Sequence, residues 1–186
     1  MTTALILVDI QNDYFPGGGG TLYEPIAASL RARALLDHFR QTQQPIVHIQ
    51  HVAIKPGAKT MLPGSVGGQI HENVRPIEGE NEVVFQKHYP NSFRDTPLLD
   101  HLKQHGVTRV VVCGMQTNMC VDATTRAAFD FGFECVVAHD ACAARTLVFQ
   151  GETIPAPQVH GAFLAALGAS YGKVLSVAEI IDLLGH

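Results

Sequence analysis

The chain has 186 residues, 46% of them apolar and 16% charged, enough for one substantial core and too few for two, so a single domain over residues 1–186 is expected. A formal net charge of -4 supplies no basic face for a phosphate backbone and excludes electrostatic nucleic-acid binding. The opening apolar run, Ala4 to Val8, is too short for a signal core or a bilayer span. The cysteines Cys113, Cys120, Cys135 and Cys142 contain no Cys-x-x-Cys pair, so a cytoplasmic protein with reduced thiols and no membrane partner is expected.

In chain order the pattern alternates strand and helix. Ala4 to Val8 reads as a buried strand, Pro25 to Gln41 carries apolar residues at helical spacing, and Pro45 to Val52 is again strand-like. Residues 53–80, rich in Gly and Pro, interrupt the pattern with a loop of the length that is usually functional or mobile. Glu82 to Gln86 resumes as strand, followed by a helix from Pro97 to His105 and a strand from Arg109 to Cys113. A helix over Ala123 to Phe131 precedes the strand Glu134 to Ala138. Pro157 to Leu167 reads as helix and Tyr171 to Leu175 as strand, and Ser176 with Glu179 forms a capping box for a last helix. Such alternation predicts a mostly parallel sheet of about six strands, covered on both faces, with active residues beyond the strands' carboxyl ends.

The most informative residue is Cys120, in Cys113-Gly114-Met115-Gln116-Thr117-Asn118-Met119-Cys120-Val121, where a strand hands over to a helix. Free N–H groups and the positive end of the helix dipole favour thiolate there, so an activated nucleophile is expected. The other cysteines lie in apolar or small-residue segments, where packing accounts for them. Asp9 and Lys87 follow two other strands, so a parallel sheet brings all three to one edge. A carboxylate can move a proton, an ammonium can hold a thiolate, and a thiolate can attack a carbonyl carbon.

The runs Asp9-Ile10-Gln11-Asn12-Asp13-Tyr14-Phe15, Lys87-His88-Tyr89-Pro90-Asn91-Ser92-Phe93 and Gly114 to Val121, with Asp140-Ala141-Cys142-Ala143 as a weaker fourth block, resemble the isochorismatase-like cysteine hydrolase family, relatives of nicotinamidase and N-carbamoylsarcosine amidase. The resemblance implies a three-layer α/β/α sandwich of Rossmann-like build and a catalytic triad of Asp9, Lys87 and Cys120. It also implies a cis peptide between Met115 and Gln116, an oxyanion hole from the N–H groups of Gln116 and Cys120, and association as a homodimer or higher homo-oligomer. The expected chemistry is cleavage of a C–N bond in a small amide, carbamoyl or ureido compound through a Cys120 thioester, with no cofactor. Two alternatives stay open: a redox-active or ligand-binding thiol protein on the same fold, and a hydrolase of an ester or isochorismate-like substrate.

His48, His51 and His71 invite a metal reading. His48 and His51 are an odd number of residues apart on a strand, so their side chains point to opposite faces and do not readily share an ion. Metal-binding relatives carry an aspartate and a histidine two residues apart here, whereas this chain reads His51-Val52-Ala53, so no metal is expected. Tyr14, Phe15, His51, Phe93 and the 53–80 loop are the expected walls of the substrate pocket.

Overall fold

In a computed structural model, the structure describes residues 2–77, 79 and 81–185; Glu78 and Glu80, at the end of the expected long loop, lie outside them. Six strands form one parallel sheet: β1 (Thr2–Val8), β2 (Ile46–His51), β3 (Glu82–Lys87), β4 (Val107–Met115), β5 (Glu134–Ala143) and, after a hairpin, β8 (Lys173–Leu175). Their order is β3-β2-β1-β4-β5-β8, and each neighbouring pair is parallel. The order reverses between β1 and β4, the switch point at which α/β sheets open a crevice at their carboxyl edge. Asp9 follows β1 and Cys120 follows β4, so they flank that crevice.

The central strands are apolar on both faces because both faces are covered. Ala4 to Val8 and Val110 to Val112 are buried throughout; each such large side chain contributes about 1.5–3 kcal/mol relative to exposure. Helices α1 (Pro25–Gln41) and α5 (Val177–Leu184) pack together on one face, α3 (Asp122–Asp130) and α4 (Ala156–Ser170) on the other, and α2 (Leu98–Gln104) lies against β4. The three-layer sandwich is therefore the observed architecture. Capping follows the sequence closely at α5, where Ser176 and Glu179 complete a reciprocal capping box.

Three details depart from expectation. β5 runs to Ala143 instead of ending at Ala138, because the strand bulges and re-pairs Cys142 with Gly114 and Ala143 with Met115. Cys142 thus lies within a strand, not after one. Leu147–Phe149 (β6) and Glu152–Ile154 (β7) form an antiparallel hairpin, turned at Gln150 and Gly151, which both have positive φ; this Gln-Gly turn was not expected. Tyr171 caps the C-terminus of α4, so the last strand starts at Lys173.

The long loop is pinned. The buried Asp13 carboxylate accepts N–H bonds from Gly19 at 3.0 Å and Met61 at 2.6 Å. Gln11, also buried, donates to the carbonyls of His51 (2.9 Å) and Gly68 (2.7 Å) and accepts from the His51 N–H at 2.8 Å. Gly67 packs against Asp13 so closely that a Cβ there collides with the carboxylate. Charge-assisted bonds of this kind are the strong ones. Among the described residues, no helix is long and apolar enough to cross a membrane.

Candidate active site

Asp9 turns out of β1 in the left-handed region, with φ 49°, a conformation that short polar side chains tolerate better than most. Gly114 permits the approach of β4 on its other side. Its φ is 126°, and a Cβ at this position runs into the Val8 carbonyl oxygen, one residue before Asp9, so only glycine fits. Lys87 closes β3, two strands or about 10 Å from β1, and its long stem carries the ammonium to the switch point.

There Lys87 Nζ lies 2.7 Å from Asp9 Oδ2, and it donates to Cys120 Sγ at 3.1 Å and to the Tyr89 carbonyl at 3.0 Å. Asp9 and Lys87 are fully buried, and Cys120 is 8% exposed. Lys87 thus joins acid and sulfur, with Asp9 on one side of its ammonium and Cys120 on the other. Burial penalises the ammonium, but the Asp9 charge, with the hydrogen bond to Cys120, outweighs that and raises the Lys87 pKa, which favours the cation.

Cys120 itself corrects an expectation. Burial, reinforced by the Asp9 charge, raises the thiol well above its ordinary range against the opposing pull of Lys87. Desolvation outweighs the helix end. The residue also sits in a π-helical turn, Thr117–Val121, ahead of α3 proper. The resting site therefore holds a neutral thiol beside a carboxylate–ammonium pair, not a preformed thiolate.

The Met115–Gln116 peptide is cis. Gln116 is the N-cap of the π turn and Cys120 its fourth residue, and the first N–H groups of such a turn have no partner within the helix. Thr117, fully buried, is held to α4 through a 2.9 Å hydrogen bond between its hydroxyl and His160 Nδ1. No sequence pattern pointed to His160, because the contact joins residues far apart in the chain.

Of the expected pocket residues, the structure brings Tyr14 and His51 to the site. The Tyr14 hydroxyl is 3.5 Å from Gln116 Nε2, and burial, reinforced by the Asp9 charge, raises its pKa, so it is a phenol. His51 Nδ1 is 3.5 Å from Lys87 Nζ; burial chiefly, with the Lys87 charge, lowers its pKa against the pull of Asp9, which keeps the ring neutral. Phe15 and Phe93 are placed otherwise. Phe15 is buried and stacks on His71 at 3.6 Å between ring centroids, and Phe93 is buried against Phe131 at 5.2 Å. Both aromatics fill packing gaps.

The histidines also divide. His48 is buried and pairs with Glu82 at 2.9 Å, away from His51, and the His71 ring accepts from the Asn73 N–H at 3.2 Å. Among the described residues, no three His, Cys, Asp or Glu side chains are grouped to hold a metal ion. A cavity of about 400 Å³ lies between the first turns of α1 and α4 and the C-terminal half of β5, lined among others by Arg31, His139, Asp140 and His160. It does not include Asp9, Lys87 or Cys120.

A sequence profile of the isochorismatase domain matches residues 3–179. The chain belongs to the isochorismatase family. An uncharacterised isochorismatase family protein of Bacillus subtilis, YddQ, is 48% identical over 174 residues, 94% of this chain and 96% of that protein. The crystal structure of a putative isochorismatase hydrolase from Oleispira antarctica superimposes with a TM-score of 0.92 at 47% identity, covering 97% of this chain and 96% of the other. A streptothricin hydrolase of Streptomyces noursei is 35% identical over 170 residues, 89% of this chain and 59% of that longer enzyme. The isochorismatase family fold thus extends over nearly the whole chain, and the chain is an isochorismatase-family hydrolase.

Proposed function

We propose that this protein cleaves a C–N bond of a small amide, carbamoyl or ureido compound through a thioester on Cys120. The observation that carries the reading is the buried trio, with Lys87 Nζ 2.7 Å from Asp9 and 3.1 Å from Cys120. Asp9 removes the Cys120 proton as the sulfur attacks the carbonyl carbon, and Lys87 balances the negative charge as it moves from carboxylate to sulfur. The carbonyl electron pair passes to oxygen, which the N–H groups of Gln116 and Cys120 receive. Removing one such donor costs on the order of 3 kcal/mol in related chemistry. Collapse expels the amine, which takes the proton from Asp9 and leaves a thioester.

Asp9, again a carboxylate, then draws a proton from water as the water oxygen attacks the thioester carbon. The second collapse breaks the C–S bond, Asp9 returns its proton to sulfur, and the acid product leaves. A high resting thiol pKa supports this cycle over a redox sensor, because sensor cysteines are low-pKa and solvent-accessible, whereas here proton transfer and attack are coupled. Ammonia release from a panel of small amides, carbamoyl and ureido compounds tests the reading. Release by the wild type and none by Cys120→Ala is expected; equal release by both overturns it.

A further inference from the structure

The turn that carries the nucleophile is closed on itself. The N–H groups of Met119 and Val121 both donate to the Gln116 carbonyl, at 3.0 and 3.2 Å, and these bonds shape the turn without placing it in the fold. Among the described residues, two side chains from distant parts of the chain hydrogen-bond to its side chains. Lys87, at the end of β3, reaches Cys120 at 3.1 Å, and His160, on α4, reaches Thr117 at 2.9 Å. Lys87 thus holds the sulfur, and His160 holds the end next to the cis peptide.

Thr117 directly follows Gln116 and is fully buried. Among the described residues its hydroxyl has no hydrogen-bond partner but His160. A buried hydroxyl that loses its partner has no water to replace it, so the bond constrains where the turn begins. Helix α4 is a firm base for that bond, because its Val159, Leu164 and Leu167 are buried and its Ala156 N–H donates to the Thr146 hydroxyl oxygen at 3.2 Å. His160 itself is half-buried and lines the cavity of about 400 Å³, so it does not serve to fill the core. Burial, with the His139 charge, lowers its pKa and keeps the ring neutral, which leaves one ring nitrogen a donor and the other an acceptor.

Backbone donors stabilise an oxyanion only when held within about 0.5 Å of the productive geometry. We propose that His160 is a positioning residue: through Thr117 it sets the orientation of the turn from Gln116 to Cys120, and with it the backbone N–H groups that receive the carbonyl oxygen. The oxyanion role rests on the hydrolase reading above; the hold on the turn does not.

Two reagents that meet the same sulfur separate positioning from general damage. With p-nitrophenyl acetate the sulfur attacks the acetyl carbon, the carbonyl electron pair passes to oxygen, and collapse releases nitrophenolate and leaves an acetyl thioester. With iodoacetamide the sulfur displaces iodide from a CH₂ group and no oxyanion forms. The ratio of the two rates at the Cys120 peptide, followed by mass spectrometry, cancels changes in thiol ionisation. His160→Leu and Thr117→Val should each lower this acylation-to-alkylation ratio about 10- to 100-fold, the effect of a small misplacement at a reacting centre. The double variant should be no worse than either single one, because both remove the same bond. His160→Asn, which keeps a hydrogen-bonding atom near the place of Nδ1, should retain most of the ratio.

An unchanged ratio in both His160→Leu and Thr117→Val, or an equal fall in both rates, overturns the positioning role. Circular dichroism checks the fold of each variant, and Thr117→Val, which keeps the shape of its side chain, carries the test if His160→Leu does not fold. Hydrogen exchange over residues 115–121 reads the hold on the turn without any substrate: faster exchange in the two variants supports it, and unchanged exchange overturns it. A wild type that is neither acetylated at Cys120 nor releases ammonia from any amide overturns the hydrolase reading, and hydrogen exchange then decides the hold by itself.

Discussion

Replacing Lys87 by methionine keeps the stem and removes the charge, which isolates the electrostatics of the site. Lys87 and Asp9 are fully buried and 2.7 Å apart, so the variant leaves a carboxylate without its cation in a water-poor site. Removing one partner of such a pair costs about 3–5 kcal/mol, a large fraction of the roughly 5–15 kcal/mol that holds a domain together. With a urea slope of about 2.5 kcal/mol per molar for a chain of this size, the midpoint should fall by about 1.5 M at pH 7. Asp9→Asn combined with Lys87→Met removes both charges and should recover most of the stability, although the protein is inactive. Urea titration of the four proteins at pH 7 reads this cycle. A Lys87→Met midpoint within about 0.3 M of wild type at pH 7, or strictly additive single losses, refutes the account of the pair.

Gly114→Ala should destabilise by more than about 2 kcal/mol, because a Cβ meets the Val8 carbonyl oxygen at φ 126° and overpacking alone costs about 1–3 kcal/mol; thermal unfolding checks it, and a near-neutral result contradicts the close approach. Asp13→Ala removes acceptors for the Gly19 and Met61 N–H groups, so limited proteolysis within residues 53–77 should speed up several-fold, with little change elsewhere. Burial disfavours the charged form of Glu82, but the hydrogen bonds from Arg40, His48 and the Ile77 N–H outweigh it and hold the carboxyl at about 2, below its ordinary 4.5. A depressed folded value means that this stability is present above about pH 4.5 and is lost as pH falls toward 2. Glu82→Gln should therefore flatten the acid limb of stability against pH, and an unchanged limb refutes the assignment.

The alternation of apolar runs and helical spacing made the parallel sheet legible, since strands buried on both faces read as continuous hydrophobic stretches. Strand order was not legible, because register and the switch point depend on pairings between residues far apart in the chain. Asp9, Lys87 and Cys120 stood out as reactive types at three strand ends, and the structure brings them into one cluster. The thiol's protonation did not follow from its position at a helix start, because burial is a tertiary property that outweighed the local dipole. Phe15 and Phe93 show the same limit: proximity in sequence to a motif does not tell which way an aromatic ring turns. His160 carried no local signal, since it matters only through its contact with Thr117, far away in the chain.

The most direct test of the central claim is the mass of the protein quenched with acid during turnover of an amide that it hydrolyses. A thioester account predicts an added acyl group on the peptide containing Cys120, removed by hydroxylamine and missing from Cys120→Ser. Undiminished turnover by Cys120→Ala, with no adduct in the wild type, contradicts it.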